Sequence, residues 1–220
     1  MPAPFLSETS REIPLVPDRA ALLFVDVQNF CLHPEGSEVA QADPETRAAK
    51  FLPFIERVTH DVLPNMLALR AAARRAGMEV MYTTIESLTR DGRDRSLDYK
   101  ITGFNVPRGS FDAQVIEALA PGDDEIVLPK SSSSVFISTN IDYVLRNLGA
   151  AQLVISGVVT DQCVESAIRD ACDLGYLVTQ ATDACATYTP ERHARSLAAI
   201  SGYCRQRTTA ELVAELSGGA

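Results

Sequence analysis

The sequence predicts an α/β domain in three layers, α/β/α, around a mostly parallel central sheet of about six strands. Short apolar runs of strand length recur along the chain, stretches of helical periodicity separate them, and turn or polar residues punctuate the joins. Strands that alternate with helices pair in parallel, because a crossover connection returns the next strand in the same direction. Helices then cover both faces of the sheet.

The elements follow in order. Residues 1–19 carry four prolines by position 18 and no apolar periodicity, which predicts an extended arm ahead of a single domain at 20–220. The run AALLFV at 20–25 is a buried strand ending at Asp26; Val27, Gln28, Asn29 and Phe30 come next, and a polar loop containing Gly and Pro follows through Asp43. Residues 45–77 form a long helical region, interrupted at Pro53 and Pro64 and stopped by Gly77. A second strand spans 78–84. Residues 86–109 are polar, arginine-rich and too long for an idle connector, so they read either as a lid or substrate loop or as a solvated insertion. A short helix is expected at 111–119 and a third strand at 124–128, ending at Pro129 and Lys130. After a polar turn at 131–134 comes a helix at 140–148. The run LVIS at 153–156 gives the fourth strand, and Val164, Ala167, Ile168 and Ala171 mark the inner face of a helix starting at Asp161. A fifth strand at 176–181, helices at 190–201 and 210–216, and a sixth strand at 203–207 complete the chain.

Composition narrows the function. The 220 residues are 46% hydrophobic and 22% charged, which is ordinary for a globular domain with a substantial core. A net charge of −9 with no dense basic cluster argues against nucleic acid as a partner. No apolar run reaches membrane-spanning length and the first residues lack signal-peptide order, so the expectation is a cytoplasmic protein without membrane contact. The cysteines, Cys31, Cys163, Cys172, Cys185 and Cys204, are odd in number and irregularly spaced, matching neither a disulfide framework nor a zinc site.

In parallel sheets ligands bind beyond the carboxyl ends of the strands, and Asp26, Lys130 and Cys163 stand at three such ends. Cys163 falls in the first turn of its helix, where unpaired N–H groups favour a thiolate. The bland alternative is a small apolar residue packing the junction. Asp26, partly desolvated, suits proton transfer, and Lys130 would favour the thiolate and orient the carboxylate. Taken singly, Asp26 is equally a turn cap and Lys130 a solvated loop residue. Backbone N–H groups in the turn at 158–163 offer an oxyanion site that needs no metal.

Three segments, LLFVDVQNF, PKSSSSVF and SGVVTDQCVESAIRDACDLGY, resemble the isochorismatase-like hydrolase superfamily and within it the cysteine hydrolases, which include nicotinamidases and the carbamoyl-sarcosine, ureidoacrylate and biuret amidohydrolases. The resemblance runs from about Asp18 onward. It implies a catalytic triad of Asp26, Lys130 and Cys163, a cis peptide at Val158–Val159, and oxyanion donors in the backbone N–H groups of Val159 and Cys163. Gln28 and Phe30 match pocket positions, and Glu86 and Phe136 complete the substrate-binding candidates. The implied activity is cofactor-free hydrolysis of a small amide or ureido compound through a thioester, in a homodimer or homotetramer. Two departures sharpen this. Isochorismatases proper lack the cysteine, and the Asp-x-His metal site of nicotinamidases has no counterpart in residues 83–95, where there is no histidine; His33, His60 and His193 are scattered and read as surface or structural. The alternatives are a hydrolase of a non-amide bond and a reactive-thiol sensor without turnover, for which Cys172 is a poorly placed partner. Arg90, Arg93 and Arg95 either capture a substrate carboxylate or form a charge-balanced surface.

Overall fold

The computed structural model describes residues 10–218. Its core is one sheet of six strands, β1 (Ala20–Val25), β2 (Glu79–Ile85), β3 (Ile126–Lys130), β4 (Gln152–Val158), β5 (Leu177–Ala186) and β6 (Arg205–Arg207). They lie in the order β3-β2-β1-β4-β5-β6, and every neighbouring pair is parallel. The fold class is the expected one. The chain builds outward from β1 to β3, then returns to the far side of β1 for β4, so the strand order reverses at the β1–β4 seam. A crevice opens beyond the strand ends at such a seam.

β1 is buried along its whole length, as its uninterrupted apolar run requires. Alternation divides it between two cores. Leu22 and Phe24 pack in one with Met66 and Leu69, while Leu23 and Val25 pack in the other with Ile141, Leu145 and Ile168. Both faces are therefore covered by helices, giving the three layers.

Several local expectations need correction. Residues 44–75 are helical throughout and are not broken at the prolines. The helix instead widens to five-residue turns at Arg47–Phe51 and Val58–Val62, just ahead of Pro53 and Pro64. A proline ring collides with the carbonyl four residues earlier, here residues 49 and 60, and both carbonyls lie inside the widened turns that move them aside. Residues 111–119 do not form one helix; they make two tight turns, Phe111–Ala113 and Glu117–Leu119, with Val115 bridging to Gln28 between them. The polar stretch 86–109 contains a helix, Leu97–Thr102, capped by the Ser96 side chain on the Tyr99 N–H and ended by Gly103 at φ 82°. It is tied down by Ser87 N–H to the Val106 carbonyl and Ser96 N–H to the Ser131 carbonyl. Residues 29–32, which span the start of the expected polar loop, form a short buried helix.

The first half of the predicted arm, residues 1–9, lies outside the described residues. Residues 10–19 run along the molecule's own surface, with the Leu15 N–H on Glu215 and the Val16 N–H on Gln152, whose amide donates to the Pro14 carbonyl. Among the described residues no helix is long and apolar enough to cross a membrane.

At the seam β4 approaches β1 through Gly157. Its φ is 132°, and a Cβ there would sit 2.2 Å from the Val25 carbonyl oxygen. Gly157→Ala therefore forces β4 away from the end of β1, and we expect a loss of about 3 kcal/mol in urea unfolding. An unchanged midpoint would show that the seam tolerates a side chain.

Candidate active site

The site is built where three strand ends meet that crevice. Asp26 follows β1 directly with φ 54°, the one non-glycine residue with positive φ among the described residues. Such a conformation costs roughly 1–3 kcal/mol and persists where neighbours enforce it. Thr83 on β2 does so: its carbonyl accepts the Asp26 N–H at 3.1 Å and its hydroxyl donates to Oδ1 at 2.7 Å.

Lys130 is the last residue of β3, two strands from β1. Strands lie roughly 4.8 Å apart, so only a long side chain spans that gap. Its Nζ is 2.8 Å from Asp26 Oδ2, and the side chain is 0% exposed. The ammonium has three protons. Besides that carboxylate oxygen, the Ser132 carbonyl at 2.9 Å, the Tyr99 hydroxyl at 3.2 Å and Cys163 Sγ at 3.4 Å surround it, so four acceptors share three protons. Asp26 Oδ2 has no other partner than the ammonium and keeps a second lone pair able to accept a proton.

Cys163 lies beyond β4. The Val158–Val159 peptide is cis, and a widened turn, Thr160–Val164, follows before the regular helix Glu165–Asp173. Thr160 anchors that turn by sharing a hydrogen bond of 2.8 Å with His193. Cys163 is 6% exposed, and its sulfur lies 3.8 Å from the Tyr99 hydroxyl as well as within reach of Lys130.

The protonation of the site departs from expectation. A helix N-terminus and a neighbouring ammonium predict an acidified thiol, but burial dominates and pushes the Cys163 thiol up to about 12; Lys130 pulls it down and the Asp26 carboxylate pushes it up further. Burial also works against the Lys130 charge, yet Asp26 and Cys163 outweigh it and the net shift is upward. Burial likewise raises the Tyr99 phenol. At neutral pH the resting groups are a thiol, an ammonium and a phenol.

Tyr99 is the participant missed in the sequence. It comes from the helix inside 86–109, and the available signal was an aromatic residue three positions after a capping serine in an otherwise polar stretch. The other candidates divide. Phe30, Val158 and Val159 line a hollow of about 20 Å³ against Cys163 and Asp26, and Phe104, Glu38 and Tyr188 also face it. A larger hollow of about 500 Å³ shares Phe30, Glu38 and Phe104 as walls and adds Lys50 and Phe51. Gln28, Glu86 and Phe136 line neither. The Gln28 amide is consumed by the Ile85 N–H and carbonyl and the Asp112 carbonyl, bracing β2 against the segment after it. Glu86 accepts the Gly109 N–H, closing the base of its loop, and Phe136 packs on Tyr176 away from the hollow. The arginines are also elsewhere: Arg93 pairs with Asp91 in solvent, Arg95 donates to the Gly92 and Phe104 carbonyls, and Arg90 is exposed. Among the described residues no three His, Cys, Asp or Glu side chains group to hold a metal.

Comparison with known proteins agrees with this architecture. A family model described as the isochorismatase domain matches residues 20–211. A cysteine hydrolase from Pseudomonas syringae pv. phaseolicola 1448A is 27% identical, with 95% of this chain and 97% of that one covered and a TM-score of 0.79. An isochorismatase family protein from Desulfovibrio vulgaris subsp. vulgaris str. Hildenborough shares the fold at 24% identity, 90% and 98% coverage and a TM-score of 0.73. So does the N-carbamoylsarcosine amidase from Thermoplasma acidophilum, at 24% identity, 87% and 96% coverage and a TM-score of 0.67.

A thiol held protonated has a reactivity that follows pH. Alkylation of Cys163 by iodoacetamide, read by peptide mass mapping, should rise by about tenfold per pH unit from 7 to 9 without levelling. Asp26→Asn, which removes the charge opposing the thiolate and leaves Lys130, should speed it. A plateau below pH 8 would mean that the thiolate already exists at rest.

Proposed function

The chain belongs to the isochorismatase family, and from that premise we propose that it is a cysteine-dependent hydrolase cleaving the C–N bond of a small amide or ureido compound. The observation that carries this reading is the meeting of a thiol, an ammonium and a carboxylate within contact range, with Asp26 and Cys163 in the wall of one small hollow. A merely structural ion pair would have no use for the cysteine, and a packing cysteine would have none for the hollow.

The thiol begins neutral, so its proton leaves as the sulfur attacks. Cys163 Sγ adds to the scissile carbonyl while the proton passes to Asp26 Oδ2, and Lys130, in contact with both, holds the shifting negative charge. The backbone N–H groups of Val159 and Cys163 are the donors offered to the carbonyl oxygen. Collapse of the adduct breaks the C–N bond, with Asp26 returning its proton to the departing nitrogen. The acyl group now sits on sulfur as a thioester. Water then attacks it, Asp26 takes the proton of that water and passes it to the sulfur, and the free acid leaves. Lys130 remains an ammonium throughout, consistent with its raised proton affinity.

The same chemistry speaks against a thiol sensor. Sensor cysteines are exposed and acidic, whereas Cys163 is enclosed and its thiol is pushed up to about 12. Cys172, the nearest cysteine in sequence, donates instead to the Tyr203 carbonyl at 3.3 Å.

Ammonia release from a panel of primary amides and ureides tests the reading. Cys163→Ala, Cys163→Ser and Asp26→Asn should each reduce it by roughly 10³-fold or more, and quenched wild-type reactions should carry an acyl mass on the Cys163 peptide. Near-normal ammonia release from either cysteine variant would end the proposal.

A further inference from the structure

We infer that Glu38 is a specificity-determining residue, which selects an amide or ureide carrying a nitrogen-borne N–H donor, an ammonium above all, at the end remote from the scissile carbonyl. The inference rests on the hydrolase reading above and adds a substrate class to it. Glu38 is one of three side chains, with Phe30 and Phe104, that line both the small hollow at Cys163 and the larger one outside it. A molecule spanning the neck with its carbonyl at the sulfur places its far end beside this carboxylate.

The state of Glu38 indicates what it awaits. Its Oε1 accepts the Tyr188 hydroxyl at 2.8 Å, and among the described residues no ion pair includes it. Lys50 is the nearby cation and acts on Glu38 through space, but it forms no ion-pair contact: its Nζ lies over two aromatic faces, 3.8 Å from the centre of Tyr188 and 4.4 Å from that of Phe51. A partly buried carboxylate with one hydrogen bond has acceptor capacity left, and a donor brought by a ligand fills it. Asp26, the other charged side chain at the inner hollow, is committed, held by Lys130 and Thr83. Phe30, Ile85, Phe104 and Val158 make part of the wall apolar, and Gln162 adds an uncharged amide. Of the side chains that line both hollows only Glu38 carries charge, so the charge offered at the neck between them is negative.

Three primary amides of nearly equal size separate the outcomes: glycinamide ends in an ammonium, propionamide in a methyl group and malonamate in a carboxylate. Binding is measured by calorimetry on the Cys163→Ala protein, where turnover cannot intervene, and again with Glu38→Gln added. Glutamine keeps the shape and the acceptor for Tyr188 and removes only the charge. The expected result is glycinamide bound about tenfold more tightly than propionamide, malonamate weakest, and the preference for glycinamide abolished by Glu38→Gln. Equal affinities, a preference that survives Glu38→Gln, or no binding of glycinamide would overturn the inference. Ammonia release by the wild-type enzyme from all three amides, compared with Cys163→Ala, tests the hydrolase reading separately, since a true hydrolase without this preference would still cleave them.

Discussion

Lys130 carries a full charge at 0% exposure, and a charge so placed costs several kcal/mol unless its surroundings answer it in detail. Four stretches of chain supply the answer: the residue after β1 gives Asp26, the 86–109 segment gives Tyr99, the turn after β3 gives the Ser132 carbonyl, and the turn after β4 gives Cys163. None can withdraw without leaving part of an ammonium unanswered, so the segments hold one another in register. The close passage of β4 over β1 at Gly157 belongs to the same arrangement, because it brings the cysteine turn to the aspartate. The sheet order explains the division of labour. Asp26 is central, Cys163 arrives from the adjacent strand on one side, and Lys130 reaches over β2 from the other, a distance only a long side chain covers.

The strained backbone at Asp26 follows from the same demand. Continuing β1 as an extended strand would carry the next side chain onward along the sheet; a left-handed residue turns the chain at once, and Thr83 fixes the carboxylate by one oxygen. That grip leaves Oδ2 to the ion pair alone. Lys130 divides its three protons among that oxygen and three neutral acceptors, and the carboxylate oxygen keeps a lone pair. A bidentate arginine in the same place would have saturated both oxygens, which is a physical reason for one of the chain's three lysines to stand here against its seventeen arginines.

How much of this could be read from residues alone depended on how local its cause is. Strands announce themselves as apolar runs, so the sheet and the polar residues that end β1, β3 and β4 were legible, and with them Asp26, Lys130 and Cys163 as neighbours. Prolines 53 and 64 signalled breaks, but a helix with tertiary packing on one face absorbs a proline by widening a turn, and that packing is not local information. Gln28, Glu86 and Phe136 were placed near the site by sequence position; which way each faces depends on partners such as Ile85, Gly109 and Tyr176 that no spacing reveals. Tyr99 and Glu38 sit on short helices inside long polar stretches, and where those helices dock is set by distant contacts that the spacing of residues does not reveal.

The protonation of Cys163 shows the same limit in energetic form. Helix position and a nearby ammonium are visible in a sequence and both favour the thiolate, while the depth of burial is not visible and decides the outcome. Its consequence is chemical economy of charge. With the thiol neutral, Asp26 and Lys130 stand as a balanced pair; a standing thiolate would add a second anion beside Asp26 in a medium too dry to screen it. In the proposed mechanism, transferring the proton during attack moves negative charge from the carboxylate to the forming oxyanion and never creates two anions side by side. On that reading the nucleophile is generated only when a carbonyl is present to receive it, and a sulfur kept as the thiol is in the form least open to oxidation.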